Sequence, residues 1–116
     1  MSIVAIVLTA LVALLHVGFL VLEMFLWTTP FGRRTFRLSE EKARETAVLA
    51  ANQGLYNGFL AAGLAWGLLL QDRAICLFFL GCVVVAGVFG AATVKRSILF
   101  VQAVPAIFAA VAVHYF

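Results

Sequence analysis

The sequence predicts an all-α integral membrane protein, a four-helix bundle running up-down-up-down through one bilayer. Three observations carry that expectation. First, the 116 residues are 66% hydrophobic and 11% charged, with a mean hydropathy of +1.15. A soluble domain of this size has too much surface for its volume to hide so much apolar area. Second, four apolar stretches, about 3–27, 46–70, 74–94 and 97–116, each reach the roughly 20 residues that cross a hydrocarbon core about 30 Å thick. Membrane strands would need alternating polarity, which the stretches lack. Third, Gln71-Asp72-Arg73 and Lys95-Arg96 are the only breaks between the later stretches, and connections this short force antiparallel neighbours. No internal repeat or low-complexity linker divides the chain, so a single domain over 1–116 is expected.

The first stretch reads as a mature span. It lacks a Lys/Arg-rich start, exceeds the length of a signal-peptide core, and has no small-residue cleavage pattern before Trp27. Its one charged residue is Glu23. A carboxylate inside a span costs on the order of 2.5–3.5 kcal/mol, so polar partners from other helices are expected.

The connection Thr28–Glu45 follows. Pro30 and Gly32 are expected to end the first helix. Ser39 is placed to N-cap the next one, with Glu40 and Glu41 at its positive end, and that helix should continue unbroken into the second span. Phe31, Phe36 and Leu38 interleave with Arg33, Arg34 and Arg37, a composition suited to membrane lipids with anionic headgroups. No nucleic-acid partner is expected.

In the second span, Asn52, Gln53, Tyr56 and Asn57 cover about 140° of a helical wheel, a polar face too broad to point wholly at lipid. Gly54/Gly58 and Gly63/Gly67 have the spacing that lets helices approach closely. The third span has little polarity and a small-residue stripe, Cys82, Ala86, Gly90 and Thr93, read as a packing surface within the bundle, with packing between subunits as the alternative. Cys76 and Cys82 lie six apart on it and point in different directions, so they read as small apolar residues without a bridge. In the fourth span, Pro105 removes a backbone donor and frees the carbonyl near Val101, beside Gln102. His114 falls at the outer edge.

Charge sets the expected orientation. The first and third loops share one face and carry Arg33, Arg34, Arg37, Lys42, Arg44, Lys95 and Arg96, seven basic residues against Arg73 alone on the other face. The positive-inside rule then places the chain as a multi-pass protein of the inner membrane with both termini on the non-cytoplasmic side. Trp27, Trp66 and Tyr115 fall near the ends of spans, where aromatic side chains anchor.

Depth counted from the cytoplasmic ends brings the polar residues into two layers. Glu23 lies about 6 Å in, Gln102 about 7 Å, and Asn52 and Gln53 about 9–10 Å. His16, seven residues before Glu23 on nearly the same face, lies about 10 Å deeper, with Asn57 near its level and Tyr56 on the same polar face of the second span. These seven residues form the candidate site for a proton or solute. Competing readings exist. Glu23 can snorkel or pair with Arg33, Lys95 or Arg96. Single amides serve as interhelical glue worth about 0.6 kcal/mol, and His16 is either a neutral hydrogen-bonded imidazole or part of a proton route. The ligand set of a strong metal motif is missing, so no metal or other cofactor is expected.

The segments Glu23–Gly32 (EMFLWTTPFG), Ala51–Leu60 (ANQGLYNGFL) and Gly87–Thr93 (GVFGAAT) together resemble a family of small four-span bacterial membrane proteins classed as a domain of unknown function. The resemblance covers nearly the whole chain and implies an inner-membrane location, but no activity. A weaker similarity, to small multidrug transporters, rests on length, four helices and an acid in the first span. That family exchanges protons for cationic drugs at its acid. The seven-to-one charge bias departs from the dual topology of some of its members.

Three functions follow as expectations. One is a proton-coupled transporter or binder of a small cationic or polar solute at Glu23, working as a homo-oligomer because four helices enclose little space. Another is an accessory subunit of a membrane complex. The third is a membrane enzyme acting on a lipid-like substrate, with Glu23 as general acid/base and His16 or Tyr56 assisting.

Overall fold

A computed structural model describes residues 1–97 and 99–116. Among the described residues all regular structure is helical: α1 (Ile3–Met24), α2 (Pro30–Phe36), α3 (Glu40–Leu69), α4 (Arg73–Thr93), a π-helical turn (Leu99–Ala103) and α5 (Val104–Tyr115). The predicted fourth span includes residue 98, which lies outside the described residues.

Local chemistry explains most boundaries. Ser2 Oγ accepts from the Ala5 N–H at 3.1 Å and starts α1. Ser39 does the same for α3, accepting from Lys42 N–H at 3.0 Å, with Glu40 and Glu41 in the first turn. The 30 residues of α3 then run without a break, as the sequence predicts. Gln71 takes the left-handed conformation (φ 53°), which lets the Asp72 N–H bond back to Gly67 O at 2.9 Å. Asp72 Oδ1 in turn accepts from Ile75 N–H at 3.0 Å and caps α4.

At Pro105 the helix responds by widening. Proline offers no N–H to the carbonyl four residues back and its ring crowds that carbonyl. The turn just before it, Leu99–Ala103, adopts π spacing, a common way to absorb such a mismatch.

The chain forms two compact units, Met1–Leu14 with Leu60–Phe116, and Leu15–Phe59. The first has a core of Ala5, Val12, Leu64, Cys76, Leu80, Val83, Ala106, Ala109, Ala112 and Val113. The chain ends meet in it, Ser2 N–H donating to Phe116 O at 3.1 Å. Close helix approach uses glycines. A Cβ on Gly63 would lie 2.4 Å from the Phe79 ring, and one on Gly67 would lie 2.7 Å from Cys76 Sγ. The expectation that α4 packs within the bundle through its small-residue stripe is corrected here. The buried positions are Cys76, Leu80, Val83 and Gly87, while Ala86 and Thr93 are exposed. On a helix apolar all round, no polarity contrast marks the inward face, so small-residue spacing alone picked a neighbouring register.

The second unit holds the rest of α1, α2 and the first part of α3. Its connection is more ordered than the sequence implies. The first helix does end before Pro30 and Gly32, at Met24, but these two residues themselves lie within a new helix. Thr29 Oγ1 caps α2 by accepting from Gly32 N–H at 3.2 Å, and Pro30 occupies the first turn, where its missing donor is harmless. Gly32 is buried because the turn after α1 folds onto it: a Cβ there would sit 1.8 Å from Leu26 O. Trp27 Nε1–H donates to Thr46 Oγ1 at 3.0 Å, and its ring packs on Phe36 with centroids 4.7 Å apart.

Among the described residues, α1 and α4 are long and apolar enough to cross a membrane, with mean hydropathies of 2.7 and 2.6. Phe100–Tyr115 is a shorter apolar helix, and α3 is long but begins with Glu40, Glu41, Lys42, Arg44 and Glu45.

Two glycines of α4 provide a matched test of the packing. A Cβ on Gly81 meets nothing within 4 Å, whereas one on Gly87 would lie 2.8 Å from the Ala103 backbone nitrogen of the π turn. Gly81→Ala should therefore leave thermal unfolding in detergent unchanged or raise stability by about 0.5–1 kcal/mol. Gly87→Ala should lower it by about 1–3 kcal/mol, since backbone must move to admit the methyl group.

Candidate functional site

Glu23 sits in the last turn of α1, and the residues of α3 that face it are small. Gly54 is buried; a Cβ there would come within 2.7 Å of Met24 Cγ and 3.1 Å of Glu23 Cβ. One turn further along, a Cβ on Gly58 would lie 2.6 Å from Leu20 Cδ1. This glycine pair is thus a seam against which α1 lies, while Gly63 and Gly67 serve α4 in the first unit.

The seam brings Asn57 to the acid. Its Nδ2–H donates to Glu23 Oε1 at 2.5 Å. Asn57 is 8% exposed and Glu23 is half-buried. Among the described residues the one ion pair is the exposed Arg44–Glu40 contact at 3.5 Å, so the competing pairing of Glu23 with Arg33 is not formed. A carboxylate held by one neutral donor has a second oxygen available for a proton or a cation. The Asn57 carbonyl oxygen beside it can accept from the same guest.

The other candidate residues are placed as follows. His16 is fully buried and meets the Phe19 ring edge-on, centroids 5.2 Å apart at 74°. Asn52 and Gln53 are exposed. Tyr56 is 50% exposed, its ring 6.1 Å from that of Phe59. Gln102 belongs to the first unit, half-buried on the π turn.

Depth counting therefore needs correction by about a turn. The sequence puts Asn52 and Gln53 level with Glu23 and Asn57 deeper; the structure puts Asn57 at its carboxylate and Gly54 at its Cβ. The count equated Trp27 with Thr46 and assumed straight helix between Glu23 and Trp27. Those two ends do meet, but α1 stops at Met24 and the indole reaches across. Gly54 lies eight residues past Thr46, about 12 Å of helical rise, twice the depth assigned to Glu23. The G-x-x-x-G spacing was the available signal, because the residue between two contact glycines and one turn past the first shares their face.

Comparison with known proteins adds family membership. Residues 10–114 match the family described as "Protein of unknown function (DUF1304)". The chain belongs to that family. One relative is the "Uncharacterized protein YpaA" of Lactococcus lactis subsp. lactis (strain IL1403), 28% identical over 106 residues that cover 88% of this chain and 89% of that protein. No solved structure matches.

The Glu23–Asn57 contact predicts an ordered set of stabilities. Asn57→Ala leaves the carboxyl without its donor and should cost about 1–3 kcal/mol. Glu23→Gln keeps an acceptor oxygen for Asn57 and should cost less. Chemical unfolding in detergent, with helicity as the signal, reads both; equal stability of Asn57→Ala and the parent would contradict the contact.

Proposed function

We propose that this chain is a four-span inner-membrane protein whose Glu23–Asn57 pair exchanges a proton for a small cationic or polar solute. Membrane insertion is supported by large apolar side chains left exposed along its helices, among them Leu14 at 65%, Val85 at 70%, Phe89 at 69% and Phe108 at 64%. Water would penalise that area at roughly 25 cal/mol per Å², and lipid does not. In this reading the four apolar stretches cross once each, the basic connections lie in the cytoplasm, and both termini lie outside.

The observation that carries the exchange function is the carboxylate held by a carboxamide, with no cationic side chain paired to it among the described residues. A purely structural polar contact between helices needs only amides or hydroxyls, whereas an acid adds a site that changes charge when it gains a proton or a cation. His16, two turns earlier on α1, acts as the next proton carrier. The working unit is a dimer of identical chains. Asn52 and Gln53, exposed on α3, face the same residues of the second copy, since carboxamides both donate and accept and can satisfy one another.

The same exposed amides favour a second reading, an accessory subunit that packs α3 against another membrane protein. A dimer mass for the purified chain supports the first reading; a stoichiometric foreign partner supports the second.

The test uses proteoliposomes with an imposed pH gradient and an entrapped pH dye. Adding a cationic solute should dissipate the gradient through the parent protein. Glu23→Gln should reduce that flux to the rate of empty vesicles while keeping its helicity and oligomeric mass. Normal coupled flux through folded Glu23→Gln removes the carboxylate from the mechanism.

A further inference from the structure

The connection between α1 and α3 carries a second site, separate from the Glu23–Asn57 pair. An open pocket of about 370 Å³ is lined by Pro30, Arg33, Arg34, Arg37 and Leu38. Three of its five lining residues are arginines and none is acidic. Arg33 Nε is buried and has no hydrogen-bond partner among the described residues. A buried guanidinium N–H without an acceptor is costly, more so than a neutral donor. Among the described residues the one ion pair joins Glu40 to Arg44, at 3.5 Å, and leaves the pocket arginines out.

The frame around the pocket is fixed. Thr29 caps α2, Gly32 locks it against the Leu26 carbonyl, and Trp27 packs on Phe36. Arg37 closes the helix in the left-handed conformation (φ 55°, ψ 48°), and the following Leu38 N–H bonds back to Arg33 O at 2.9 Å. The left-handed conformation is unfavourable for a non-glycine residue, and here it sets Arg37 and Leu38 at the rim of one cavity. Phe31 stands 55% exposed on the same short helix.

We infer that this pocket binds a phosphate group. Guanidinium forks match phosphate oxygens in geometry and charge, the unpartnered Arg33 Nε–H gains an acceptor once that guanidinium turns to the ligand, and Pro30 with Leu38 offers an apolar wall to the carbon skeleton of a phosphate ester. The shared chemistry is a phosphate ester, which reaches the site either as an acidic phospholipid headgroup or as a free phosphorylated metabolite.

The experiment uses the full chain in phosphatidylcholine nanodiscs, with Trp66→Phe as background so that Trp27 beside the pocket reports by fluorescence. One arm titrates phosphatidylglycerol into the discs; the other adds glycerol phosphate or inorganic phosphate to the buffer. Saturable quenching or enhancement is expected in at least one arm, and the arm that responds identifies the source. Arg33→Lys keeps the charge but loses the Nε donor and the fork, and should weaken binding about tenfold or more. Arg37→Asn, which tolerates the left-handed turn, should weaken it similarly, while Lys42→Gln, outside the pocket, should change it less than about threefold. No saturable response in either arm overturns the site. So does Arg33→Lys binding like the parent, or Lys42→Gln costing as much as Arg37→Asn; each of these marks diffuse surface charge instead.

Discussion

A carboxylic acid within an apolar helix is costly unless a neighbouring group comes near enough to give it a hydrogen-bond donor. In this chain the distance is set by two glycines. Gly54 admits Met24 and the Glu23 Cβ, and Gly58 admits Leu20, so that Asn57, on the same face, reaches the carboxylate. The rest of the second unit follows from that approach. With α1 lying on α3 at this point, the chain has to leave α1 at once. It does so in the turn around Trp27, which bonds to Thr46 and packs on Phe36.

The proposed exchange site and the proposed phosphate pocket share one design. Each pairs a charged side chain with a scaffold that leaves part of its bonding capacity unused: the second oxygen of Glu23 in one, the Nε donor of Arg33 in the other. Buried or half-buried charge of this kind is expensive, and helix packing alone would be better served by neutral groups. Family membership is consistent with either site and assigns neither a function.

How far the sequence reached depended on the kind of signal. Capping chemistry was legible at Ser39, because a hydroxyl before two acids has one favoured use. The disturbance near Pro105 was legible for a similar reason, since a missing donor acts locally. Contacts between helices were less so. The importance of Glu23 could be read from its surroundings in the chain, but its partner could not, because a helical wheel relates residues of one helix and says nothing of which neighbour they meet. Depth counting filled that gap with an assumption of straight helix to Trp27, and the turn after Met24 broke it. Gly32 shows the same limit. As a residue type it suggests a break, yet its role comes from the Leu26 carbonyl lying where a side chain would be. The inward face of α4 was illegible, since a helix apolar on all sides carries no mark of it.

The most direct measurement is magic-angle-spinning NMR of the protein in lipid bilayers, with 13C in the Glu23 carboxyl and 15N in the Asn57 side-chain amide. Dipolar transfer between the two labels is expected, together with weak transfer from lipid headgroup protons to the carboxyl. An absent carbon–nitrogen transfer, with strong headgroup contact at that carboxyl, would contradict the account: the acid would then lie at the membrane surface, with nothing to hold and no guest to exchange.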